Sequence, residues 1–122
     1  MVATATNRNS RPRTVNAECT VENAEVTLYT CPANCRALMS LLYVTNISGG
    51  TCTVDIEFNR ADATHMHILG SKNMANGEFI QWSDAYIVLE PTETITVTPS
   101  SQASPHIDVM ATVEEFFTFE GQ

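Results

Sequence analysis

Polar and apolar side chains alternate with period two through most of the chain. Thr51, Thr53, Asp55 and Glu57 alternate with Cys52, Val54, Ile56 and Phe58, so eight residues present one polar and one apolar face. That is the pattern of a half-buried strand. Thr94, Thr96 and Thr98 alternate with Ile95 and Val97 in the same way, and His106, Asp108, Met110 and Thr112 alternate with Ile107, Val109, Ala111 and Val113. Arg36 to Asn46 is apolar at nearly every position, which suits a central strand covered on both faces. Further strands are expected at Val15–Val21, Ala24–Thr30, His65–Ile68, Gly77–Trp82 and Tyr86–Leu89.

Turn signals separate these runs. Asn46 to Gly50 reads as a hairpin loop in which glycine supplies positive φ, and Glu90-Pro91-Thr92-Glu93 as a tight turn with proline at its second position. Asn76-Gly77, Ser104-Pro105 and Cys31 to Asn34 break the chain elsewhere, and Ser71 to Asn76 reads as loop. No ten-residue segment carries a 3.6-residue period. The expectation is therefore all-β: a single antiparallel β-sandwich of about eight strands, jelly-roll or immunoglobulin-like, with no internal repeat.

At 122 residues the chain is long enough to bury a core without a metal or disulfide staple. No run approaches the roughly 18 apolar residues of a spanning helix, and residues 1–15 lack the apolar core of a secretory signal. Synthesis in a cytoplasm is the expectation, with no membrane partner. Sixteen Thr against six Lys and Arg also favour strands.

Charge divides the chain. Arg8, Arg11 and Arg13 lie in residues 1–13 with no acid among them, while residues 14–122 hold three cations and fourteen acids. The expected organisation is a basic extended N-terminal arm, 1–13, on an acidic sandwich domain, 14–122. An acidic body repels phosphate backbones, which argues against nucleic acid as partner. The arm has no core of its own, so Arg8, Arg11 and Arg13 are expected to meet acids or carbonyls of an adjacent chain. Phe116, Phe117 and Phe119 cluster near the C-terminus, and Phe117 and Phe119 are expected contacts to a partner.

Candidate chemistry is sparse. Cys19, Cys31, Cys35 and Cys52 have eleven, three and sixteen residues between them, which is not a paired zinc-ligand spacing, so four free thiols are expected. His65 and His67 share one strand face and supply only two ligands, with no acidic or Cys partner at recognisable spacing. Two exposed histidines are the simpler reading, although a three-fold assembly would gather six such nitrogens. His106 has no visible partner. Asp55, Glu57, Glu93 and Asp108 fall in outward phase, as on a solvated face. No nucleophile elbow or Gly-rich phosphate loop is present. No catalytic residue, metal, cofactor or small-molecule substrate is expected.

The segments Tyr29–Asn34 (YTCPAN), Leu41–Gly50 (LLYVTNISGG), Thr53–Phe58 (TVDIEF) and Ile87–Thr98 (IVLEPTETITVT) resemble a group of small β-sandwich virion proteins of tailed bacteriophages, common in marine and cyanobacterial phages. The resemblance spans roughly residues 26–115 and rests on fold-shaping residues. Thr92-Glu93 replaces the group's usual Gly-Asp, and Cys31 and Cys35 stand where Val and Thr are common. The resemblance implies a non-enzymatic structural part of a virion, a homo-oligomer contacting the major capsid protein or tail and neck subunits. A capsid decoration or cement protein is the leading expectation, a tail, neck or fibre-linked accessory the alternative, and a carbohydrate- or surface-binding module a third.

Overall fold

The computed structural model describes residues 9–84 and 87–117. Nine strands form among them: β1 (Ser10–Cys19), β2 (Val26–Thr30), β3 (Cys35–Asn46), β4 (Cys52–Asn59), β5 (His65–Met74), β6 (Phe79–Trp82), β7 (Ile87–Leu89), β8 (Thr94–Ser100) and β9 (Ile107–Phe117). They make two antiparallel sheets. The first runs β1-β9-β3-β6, with β7 also pairing β3, and the second β2-β8-β4-β5. The architecture is an all-β sandwich. The described residues contain no helix long and apolar enough to cross a membrane.

Alternation places the core. Val54, Ile56, Ile95, Val97, Ile107 and Val109 are all buried between the sheets, with Met39, Val44 and Val113 beside them. β3 departs from a simple alternation. Its inward residues are Cys35, Ala37 and Met39 before a bulge at Ser40, then Leu42, Val44 and Asn46 after it. The bulge shifts phase by one residue, which is why Arg36–Asn46 reads as apolar almost throughout, and the expected cover on both faces is corrected to one buried face and one half-exposed face.

Three other expectations change. Asn46 to Gly50 is not a hairpin loop, because β3 and β4 belong to different sheets. It is a corner, with Gly49 at φ 90° and the buried Asn46 amide donating to the carbonyls of Gly50 (2.8 Å) and Met74 (2.9 Å). Ser71 to Met74 is strand rather than loop. Its polar residues lie on a sheet edge after a register shift, and Met74 enters the core. Finally, Ser10 to Arg13 belong to β1 and pair with Val113 to Phe116 of β9, so the sandwich begins inside the segment expected to be an arm. Arg8 and Phe119 lie outside the described residues.

All four cysteines are free and buried. Burial pushes the Cys19 thiol up to about 11, with Asp108 and Cys52 adding to it, and burial followed by Cys35 and Glu115 pushes Cys31 up to about 11. The native protein should therefore leave all four thiols unreactive toward an aromatic disulfide reagent at pH 8, and release four on denaturation. Reductant should leave the melting temperature unchanged. A drop on reduction on the scale of about 2 kcal/mol or more would reveal a staple.

Candidate functional site

The inward phase of β9 continues past Val113 to Glu115, and that of β1 runs back from Val15 to Arg13 and Arg11. Glu115 is 0% exposed, at one end of the core. Arg11 Nε donates to its Oε1 at 2.8 Å, Arg13 Nη1 to its Oε2 at 3.1 Å, and the Tyr29 hydroxyl of the opposite sheet to the same Oε2 at 2.6 Å. Burial acts to raise the Glu115 carboxyl, but the Tyr29 bond and the two guanidinium groups outweigh it and hold the carboxyl below its ordinary value. One carboxylate thus ties β1, β9 and β2 together.

Arg11 and Arg13, expected to meet a partner chain, each also find an acid within their own chain, because β1 pairs with β9 in a register that sets Arg11 opposite Glu115. Phe117 is half-buried. It packs against the core with the Arg11 guanidinium 5.7 Å from its ring centroid, and the outward ring is Phe116. Glu115 is not among the residues that the sequence reading singles out. The phase Ile107, Val109, Ala111, Val113, Glu115 was the signal.

The expectation for Glu93 is corrected. It is buried rather than solvated: its Oε1 accepts from the Glu90 N–H at 2.8 Å, and its Oε2 from Arg60 Nε at 2.8 Å and the Ala61 N–H at 3.0 Å. Burial pushes against its charge, yet these donors hold its carboxyl low. The carboxylate locks the β7–β8 turn, where Thr92 adopts φ 73° at the place the resembling group has glycine, to the β4–β5 loop.

The outer face of the first sheet is different in character. Tyr43 stacks on Phe79 with ring centroids 5.7 Å apart, and Met110 stands opposite Tyr43 on β9. Phe79, Met110, Val88 and Phe116 are all exposed there. A shallow groove runs between Asn16, Glu18, Tyr43, Thr45, Asp108 and Met110.

The histidines do have partners. His67 Nδ1 lies 3.0 Å from Asp55 Oδ1, and His65 Nδ1 lies 3.6 Å from Glu57 Oε1. These are cross-strand relations between β4 and β5, invisible as sequence spacing. His106 Nε2 lies 3.2 Å from Asp108 Oδ1, with Glu18 opposite Asp108 on β1.

The sequence matches no protein-family model and no curated protein. Solved structures do match in fold. A chain of the acid-stable capsid of Helicobacter pylori bacteriophage KHP30 superposes with a TM-score of 0.58 at 13% identity, over 88% of this chain and 89% of that one. A subunit of the endospore appendages of Bacillus, described as disulfide-linked pili, superposes with a TM-score of 0.55 at 13% identity, over 98% of both chains. At this identity the likeness is one of fold.

Proposed function

We propose that this chain is a non-enzymatic structural subunit of a bacteriophage particle, coating the shell in many copies as a decoration or cement protein. The observation that carries this reading is the outer face of the first sheet. Phe79, Tyr43 and Met110 form one apolar patch and Val88 and Phe116 a second on an otherwise acidic molecule, and such patches suit a neighbouring subunit. Two further supports are the likeness in fold to a phage-capsid chain and the resemblance of the central segments to phage virion proteins. Arg11 and Arg13 remain 50% and 43% exposed, so their unused N–H groups stay open to carbonyls or acids of an adjacent subunit, alongside Arg8. The virion is the proposed location, and other virion proteins or further copies of this chain are the proposed partners.

Phe79→Asp should leave melting within about 0.5 kcal/mol of wild type, as for other exposed positions, yet strongly reduce incorporation into particles. Removing residues 2–8, which precede β1 and spare Arg11 and Arg13, should act the same way. Wild-type incorporation of both variants would refute the reading. The likeness to an appendage subunit favours a second reading, a tail, neck or fibre-linked protein assembled by self-association.

A further inference from the structure

The exposed face of the second sheet carries a second kind of chemistry. Asp55 and Glu57 alternate outward on β4, and His67 and His65 outward on β5, where Glu57 pairs directly with His67 and Asn59 with His65. Register shifts on both sides of Ile56 draw Asp55 into the group, its Oδ1 also accepting the Ser71 N–H at 3.2 Å. One ligand atom each from Asp55, Glu57 and His67 lies within 4.8 Å of the other two.

The charges here are not balanced by lysine or arginine. Arg60 pairs with Glu93, Lys72 with Glu78, Arg36 with Glu90, and Arg11 and Arg13 with Glu115. β8, the other neighbour of β4, sets Thr94, Thr96 and Thr98 beside Asn59, Glu57 and Asp55, all of them neutral. Among the described residues, the two adjacent carboxylates are therefore faced by two imidazoles, which offer nitrogen lone pairs.

We infer that Asp55, Glu57 and His67, with a fourth position left to water, bind one divalent cation of the zinc, cobalt or nickel type. Ligand atoms around one tetrahedral zinc lie about 3.3–3.6 Å apart. The separations of His67 Nδ1 from Asp55 Oδ1 (3.0 Å) and Glu57 Oε2 (4.0 Å) bracket that spacing. His65 stands beside the group with its Nδ1 on Asn59 Oδ1. Mixed imidazole and carboxylate donors suit borderline cations, whereas Mg²⁺ and Ca²⁺ call for six or more oxygens. The site does not depend on what the protein assembles with.

Calorimetric titration of the full-length chain with ZnCl₂, and separately with CoCl₂, is the test. One ion per chain is expected, with MgCl₂ giving none at the same concentration. His67→Asn and Asp55→Asn should each weaken Zn²⁺ by at least about tenfold, the smallest loss seen when even an outer partner of a metal ligand is removed. Glu18→Gln, at the cluster with His106 and Asp108, should leave it unchanged. Absence of saturable binding, binding that survives either substitution to within tenfold, or sensitivity to Glu18→Gln would each overturn the inference.

Discussion

Replacing Glu115 by leucine is expected to destabilise the sandwich by about 2–3 kcal/mol. The Tyr29 hydroxyl would be left buried without its acceptor, which alone costs about 1–3 kcal/mol. The figure stays below the roughly 3–5 kcal/mol of a fully buried broken pair, because Arg11 and Arg13 reach solvent. Adding Tyr29→Phe should restore part of the loss, since no orphaned polar atom then remains. Denaturant titrations of the four proteins of this cycle measure the coupling directly.

Removing the two arginines instead should weaken a pH effect. In the native chain the folded-state Glu115 carboxyl is held below its ordinary value, as are those of Glu93 and Asp62. Their contribution is present above the ordinary carboxylate range and is lost as pH falls through the lowered folded values. In an Arg11→Gln, Arg13→Gln double variant, burial of Glu115 is no longer opposed by the two guanidinium groups. That variant, with Glu115 held low by the Tyr29 bond alone, should lose less stability than the wild type as pH falls through the carboxylate range. Parallel losses in both proteins would show that the arginines do not set the charge of Glu115.

Ile56→Ala is expected to carry the other large effect, about 2–5 kcal/mol from lost burial and the cavity left behind. Ile56 is wholly buried between β8 and β5 of its sheet, facing the first sheet. Thr53→Ala, three residues earlier on the outward face, loses only an exposed bond to Asn73 and should cost under about 0.5 kcal/mol. Equal costs at the two positions would contradict the register.

These two sites also mark what was legible in the sequence. The inward set of β4, β8 and β9 followed from alternation alone, because a sheet covered on one face must bury every second residue. What alternation does not encode is which strands become neighbours. The corner at Asn46–Gly50 was read as a hairpin because a glycine-rich turn between strands is compatible with either a hairpin or a change of sheet. The pairing of Asp55 and Glu57 with His67 and His65 was hidden for the same reason, as was that of Arg11 with Glu115, some hundred residues apart. Bulges hid the rest: the one at Ser40 inverts phase inside β3, and the shifts in β5 made Ser71 to Met74 look like loop. Glu115 was readable in principle. A charged residue in inward phase at a strand end, with two arginines in inward phase on another strand, is the pattern of a buried ion pair capping a core.

The proposal that the chain is a particle subunit present in many copies is tested most directly by its abundance in purified, salt-washed phage particles, read as band intensity against the major shell protein on a denaturing gel. The account predicts a copy number comparable to that of the shell protein, falling as the wash salt is raised because partly exposed ion pairs are screened. A few copies per particle would contradict the coating role in favour of a tail or neck position, and absence from the particles would contradict the account as a whole.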